Sequence, residues 1–366
     1  MNHIVYPVIS NKLIDKFCGL LMGLPIFAEL TSSGIRLPDS HYEMDGIPLH
    51  SSMIALVLLA LSHKFTKFQI TFILLFVIYF LLCFFQDFSR SVLAIQSIYF
   101  IAFYFILDSL STARLETIAL SAVKSLMIFA TLHFFSLLFF SGGSPVSLFS
   151  NTANFWNIYV IYQSHLTYPL VLIMGLWMME YNKSFFVNYQ RLFFMIVVSI
   201  IIILLLRRTS LAILLIFLIC YRPKAFLLFS PVLIAALILI LGGIQDLTRF
   251  TNFSRGGAWS DSINIIMDFN SLILGNGLNN YSHNYVMHTL TTHGIIYSGI
   301  IFFILSFILL AFLRRVNFAI QPMILLFPFI FIDWSVNANL YQPYYAGIFS
   351  LSLLIISSRF NNKMAQ

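Results

Sequence analysis

Charge is what this 366-residue sequence has least of. Only 9% of its residues are Asp, Glu, Lys or Arg, against roughly 25% in soluble domains, which excludes an ordinary water-facing surface. Cysteine is nearly absent too. Cys18, Cys83 and Cys220 lie inside or at the ends of apolar runs and show neither disulfide pairing nor zinc spacing, so packing is their expected role. A β-barrel would alternate polar and apolar residues in segments of about ten; the long runs here are apolar on every face.

What is present is hydrocarbon. About 60% of the residues are hydrophobic, and uncharged runs such as 70–85 and 225–243 approach the length that crosses roughly 30 Å of lipid. The chain is therefore expected to be all-α, a single polytopic membrane domain over 1–366. Hydropathy places about twelve spans, near 13–30, 49–63, 67–85, 91–109, 116–140, 165–181, 192–206, 210–221, 225–243, 291–313, 319–333 and 343–358. The first follows Lys12 and Lys16 and is expected to remain as a signal anchor. With an inside N-terminus, the inner segments take thirteen of the twenty basic residues, among them Arg114, Arg222, Arg315 and Arg359. The outer loops take only Arg36, Arg90, Arg207, Arg208, Arg249 and Arg255, while Lys124 falls in a span. The positive-inside rule then puts both termini in the cytoplasm. Every outer basic residue is Arg, whose planar fork suits two phosphate or carboxylate oxygens in a way that Lys does not.

The long loops are also outer: 31–48, 141–164 and, largest, 244–290 between the ninth and tenth spans. Three stretches carry candidate chemistry. In "LLLRRTSLAILL", Arg207 and Arg208 stand at a hairpin tip against the dipole of the following helix, which fits either an anion held there or arginines snorkelling to headgroups. In "LTRFTNFSRGGAWSDSINIIMDF", Arg249 and Arg255 precede an amphipathic helix on which Trp259 recurs with Ile263, Ile266 and Met267. That helix would lie at the membrane interface, serving either a lipid-linked substrate or plain lipid phosphates.

The third stretch is "GNGLNNYSHNYVMHTLTTHG". Gly275 and Gly277 predict a turn, and Ser282 an N-cap for a helix from His283. His283, His288 and His293 are five residues apart, about 140° around a helix, so they share no face and no metal is expected. His283 at the helix mouth is either an acid/base group or a structural one. Farther back, Trp156, Tyr159 and Tyr162 offer rings for sugars or for the interface.

These motifs, in this order, resemble the O-antigen polymerase and O-antigen ligase superfamily of bacterial envelope glycosyltransferases: Arg208 in "RRTS", Arg255 and Trp259 in "RGGAW", Gly275 and Gly277 in "GNG", His283 and Asn284 in "SHNY". The resemblance implies a glycosyltransferase-C-like helical fold in the inner membrane and a periplasmic active site on the 244–290 loop. It implies a metal-independent enzyme with no cofactor, acting on donor and acceptor glycans linked to undecaprenyl pyrophosphate. Catalysis would fall to His283, Arg208 and Arg255, with Arg207, Arg249, Trp259, Asn284 and Tyr285 binding pyrophosphate or glycan. The expected partners are the bilayer and a chain-length regulator protein, and no nucleic acid.

Short length and heavy Phe, Ile and Asn usage favour polymerase over ligase, which would transfer the finished glycan to the lipid A core. The rival class is a flippase or other transporter of lipid-linked oligosaccharide. It needs ionisable residues or broken helices at mid-membrane, for which the sequence offers only Lys124, Pro231 and His133.

Overall fold

A backbone without water nearby satisfies its polar groups only by helical bonds or a closed barrel, and the described residues are helical almost throughout. The computed structural model describes residues 11–25, 27–31, 34–36, 47–61, 66–86, 88–140, 164–183, 185–204, 208–224, 226–227, 230–231, 255–276, 284–334 and 342–364. In chain order the helices are α1 Asn11–Gly23, α2 Ser51–Leu61, α3 Lys67–Gln86, α4 Phe88–Asp108, α5 Thr112–Phe140, α6 Ser164–Tyr181 and α7 Asn188–Leu204. Then follow α8 Arg208–Tyr221, α9 Arg255–Met267, α10 Phe269–Leu274, α11 Tyr285–Arg315, α12 Ile320–Phe327 and α13 Pro343–Met364. A π-helix, Pro328–Trp334, continues α12, beginning where Pro328 has no N–H to give to an α-helical bond.

Among the described residues, three helical stretches are long and apolar enough to cross a membrane: Arg90–Asp108, Thr112–Phe135 and Tyr285–Arg315. Other apolar helices, such as Ser51–Leu61 and Asn188–Ile203, are shorter. The first expected span is cut back. Pro25 disfavours helical backbone in the residue before it, so α1 stops at Gly23. The chain then forms a strand, β1 Phe27–Thr31, between β2 Gly34–Arg36 and β3 Ile47–His50. The sheet is antiparallel, in the order β2-β1-β3, with Glu29 opposite Arg36 and Phe27 opposite His50. Parts of the expected 31–48 loop are thus strands. The span expected at 225–243 lies largely outside the described residues.

The packing is apolar at the periphery as well as at the centre, unlike that of a soluble protein. At the centre, α6 and α13 bury nearly all their described side chains, from Tyr168 to Met179 and from Tyr344 to Ile356. At the periphery, α3 exposes Leu74, Leu82 and Phe85, the last at 82%, and α11 exposes Phe303 at 73%. An apolar surface on this scale requires an apolar solvent. The chain is a helical membrane protein.

Between helices in lipid no water is released, so contact must be won by close packing of small residues. Helix α1 packs most extensively on α5, and Gly19 and Gly23, four residues apart, make the approach. A Cβ on Gly19 would sit 2.2 Å from the Ile118 carbonyl oxygen, and one on Gly23 2.4 Å from that of Ala122. The Ser121 and Ser125 hydroxyls donate across the seam to the Lys16 and Leu20 carbonyls, which sets the two helices parallel.

Four ion pairs among the described residues gather at one end of the bundle. Arg114 holds Asp15 through three hydrogen bonds of 2.7 to 3.1 Å, Arg315 holds Asp108, Arg359 lies 2.9 Å from Glu116, and Arg222 pairs with Glu180. These tie the start of α1 to that of α5, the start of α5 to the end of α13, the end of α4 to that of α11, and the end of α6 to the turn after α8. Asp15 is almost wholly buried, a position tolerable for a carboxylate only with such a partner.

The same substitution should act oppositely at two glycines. Gly19→Ala drives a methyl into the Ile118 carbonyl and should lower the melting temperature of the purified chain. Gly299→Ala, on α11 with nothing within 4 Å of the new Cβ, should leave it unchanged or raise it, since Ala is favoured over Gly in a helix by about 1 kcal/mol. Thermal unfolding in one detergent compares them; equal destabilisation would refute the close-approach seam.

Candidate active site at the broken end of helix α11

The site begins with a helix that does not run straight. Inside α11, Gly294 has φ 77° and ψ 175°, a left-handed value that an L side chain rarely tolerates. Nineteen residues earlier, Gly275 closes α10 with φ 77°. The two glycines meet. A Cβ on Gly275 would fall 2.3 Å from the Thr292 carbonyl oxygen, and one on Gly294 2.2 Å from that of Ile273. The break frees backbone groups that lipid cannot satisfy, and the Asn276 N–H takes one of them, donating to the Thr291 carbonyl at 2.7 Å.

Around this junction lies a buried polar cluster. The Tyr79 hydroxyl hydrogen-bonds His293 Nδ1 at 2.8 Å, and the Tyr79 ring stacks on Tyr297 at 4.2 Å between centroids. The Tyr297 hydroxyl lies 2.8 Å from Ser97 Oγ. Arg90, at the start of α4, donates to the Leu274 carbonyl in the last turn of α10 and lies beside the Tyr79 hydroxyl. His288 and His293 are both buried. Arg90, Tyr79 and His293 are residues that sequence reasoning did not nominate. For Arg90 the signal was there, as one of the six basic residues that the hydropathy reading expects outside, all of them Arg.

The predicted site residues fall as follows. Arg255 opens α9 and Trp259 follows one turn later; Arg208 opens α8. Of these three the backbone alone is described. Arg207, Arg249 and His283 lie outside the described residues, as do Gly277, Trp156, Tyr159 and Tyr162. Asn284, expected to bind substrate, is the N-cap of α11, its side chain accepting from the Met287 N–H at 3.0 Å. The cap thus falls two residues beyond the predicted Ser282, because Asn284 has the extended backbone, φ −126° and ψ 121°, that a cap requires. Tyr285, expected to bind substrate, is buried and its hydroxyl donates to the Ser97 carbonyl at 3.1 Å.

Helices α9 and α10 both pack on α11, so Arg255 starts an arm that ends at the glycine junction. Asp268 separates the two. Its carboxylate accepts from Ser271 Oγ at 2.7 Å and from the Ser271 N–H at 2.9 Å. Both bonds, the hydroxyl one foremost, hold the carboxyl below its usual range.

The cluster sits at the end of the bundle away from the ion pairs. Arg90 and Asp108 cap opposite ends of α4, and Asp108 marks the ion-pair end. A second group shares the cluster's end: His50 lies 4.5 Å from the Tyr344 ring at the start of α13, and His133 meets Tyr168 at 5.6 Å, late in α5 and early in α6. All four buried histidines among the described residues, His50, His133, His288 and His293, therefore lie in one half of the molecule.

No protein-family model, curated protein or solved structure matches the chain.

The Asp268 cap has a definite pH dependence. A carboxyl whose value is lowered on folding stabilises above its unfolded value, near 3.9, and loses that contribution as pH falls through the lower folded value. The amides of 269–274, corrected for intrinsic exchange, should exchange faster in Asp268→Ala than in the unsubstituted chain at pH 5 to 8. The difference should close below about pH 4. A difference that persists unchanged at pH 2 would mean that the ionised cap is not what holds α10.

Proposed function

We propose that the chain is an O-antigen polymerase, joining repeat units carried on undecaprenyl pyrophosphate at the periplasmic face of the inner membrane. The observation that carries this reading is the segregation of the bundle. Ion pairs built from arginines assigned to the inside gather at one end. The four buried histidines of the described residues, the broken helix and the arm that begins with Arg255 gather at the other. Polar groups kept in a lipid-solvated protein without packing need are functional by default, and here they adjoin the segments that carry the family-like motifs.

The chemistry is a displacement at an anomeric carbon. The acceptor hydroxyl attacks, the bond from that carbon to the pyrophosphate oxygen breaks, and the leaving group departs with the electron pair. Charge then builds on pyrophosphate oxygens, and preorganised guanidinium groups are the direct remedy, each worth a few kcal/mol. Arg208 and Arg255 take that role, with Arg207 and Arg249 beside them. His283 accepts the acceptor's proton, immediately before the Asn284 cap. Trp259 offers a ring face to the glycan. No metal or cofactor is invoked, and a chain-length regulator would act from outside this chain. About twelve spans, both termini in the cytoplasm and 244–290 in the periplasm complete the arrangement.

Complementation of a polymerase-deletion strain tests the reading. Arg208→Ala, Arg255→Ala and His283→Ala, each confirmed in the membrane, should collapse the lipopolysaccharide ladder to core plus one repeat. Rate losses of roughly 100-fold or more are expected for each arginine. Core without repeats, with polymer accumulating on undecaprenyl pyrophosphate, identifies a ligase instead. Full ladders from all three overturn the catalytic assignment in favour of transport.

Topology is tested separately. Alkaline phosphatase fused after residue 150 or 250 should be active, and fused after residue 183 or 223 inactive. The reverse pattern would place the motif loop in the cytoplasm and remove the proposed substrate from reach.

A further inference from the structure

We propose that Arg90 is a positioning residue for the site, latching the α9–α10 arm to the break in α11 and so holding Arg255 in place. The inference rests on the reading above for its activity readout alone. Three contacts make the latch. The first is the meeting of Gly275 and Gly294, each with its Cα against the other's neighbouring carbonyl, where no larger residue fits. The second is the Asn276 N–H on the Thr291 carbonyl. Both could slide or part unless something holds α10 from the bundle side. That something is the third contact, Arg90 on the Leu274 carbonyl.

The chemistry of the third contact suits the task. The last carbonyls of a helix have no partner within it, and a cation at that end is favoured by the helix dipole. The cation comes from another element: Arg90 is anchored at the start of α4, a helix packed on α3, α11 and α13. The guanidinium also lies beside the Tyr79 hydroxyl, which bonds His293 one residue before the break. Arg90 thus ties the arm, the broken helix and α3 together. With its guanidinium engaged by the protein's own Leu274 carbonyl, Arg90 acts through the arm and not on the substrate. Displacement of a reacting geometry by about 1 Å can cost about 100-fold in rate, so a latch of this kind matters to catalysis without touching the glycan.

The experiment uses the full chain in lipid nanodiscs and compares the unsubstituted protein with Arg90→Ala and Arg90→Lys. Two quantities are read: amide exchange over 255–276, and kcat and KM for polymer growth from lipid-linked repeat units. Arg90→Ala should speed exchange across the arm by about tenfold or more and lower kcat by roughly 100-fold, with KM within about threefold. Arg90→Lys, which still donates to the Leu274 carbonyl, should keep slow exchange and most of kcat. Unchanged exchange in Arg90→Ala overturns the latch, whatever the activity. Faster exchange with unchanged kcat overturns the positioning role. A raised KM at constant kcat would make Arg90 a substrate ligand and also overturn it. If the unsubstituted chain makes no polymer, the polymerase reading fails while the exchange comparison still decides the latch. Should Arg90→Ala not accumulate in the membrane, Arg90→Gln carries the same comparison.

Discussion

A helix surrounded by lipid can be broken only where something else takes up the backbone groups it frees. The break at Gly294 meets that condition with another glycine. Gly275 brings the end of α10 so close that the Asn276 N–H reaches the Thr291 carbonyl, and neither Cα leaves room for a side chain. Much of the candidate site depends on this pairing. It fixes where α10 ends, which face of α11 the arm covers, and where a cation from α4 finds an unsatisfied carbonyl.

The opposite end of the bundle is held by different means. There the constraint is charge, and the ion pairs meet it by keeping Asp15, Asp108, Glu116 and Glu180 each beside an arginine. Between the two ends, the Gly19 and Gly23 seam lets α1 lie against α5 backbone to backbone. Under the proposed function, stability and function would thus be spatially separated. Ion pairs hold one half, and the four buried histidines of the described residues with the broken helix occupy the other. This matches the usual placement of intramembrane polar residues at functional positions.

Much of the helical content was legible because apolar runs have one solution in lipid. The runs at 67–85, 91–109 and 116–140 became α3, α4 and α5 with boundaries shifted by a few residues. Where the reading failed, the deciding interaction was either a local rule outweighed by run length or a contact distant in sequence. Leu24 and Pro25 stopped α1 inside what hydropathy treats as one span. Asn284 displaced Ser282 as cap because backbone conformation, which the residue types alone do not specify, selects among neighbouring candidates. Gly275 was legible as a turn residue, but its partner Gly294 lies nineteen positions on, beyond any local pattern. The same distance hid Tyr79 and His293, 214 residues apart in sequence and 2.8 Å apart in space.

Arg90 shows how a compositional signal and a geometric one complete each other. The hydropathy reading expects only arginines among the outer cations, and under the proposed function phosphate recognition would account for Arg208 and Arg255 at helix starts. It does not explain Arg90, which the structure places on a protein carbonyl. A guanidinium can serve both ends because its donors form a planar fork, able to bond a carbonyl and a neighbouring hydroxyl at once, where an ammonium offers a point charge. Under the proposed function, the arginines expected outside would thus meet two demands. One is for groups that meet a leaving pyrophosphate, and the other is for a cation that holds the helices presenting them.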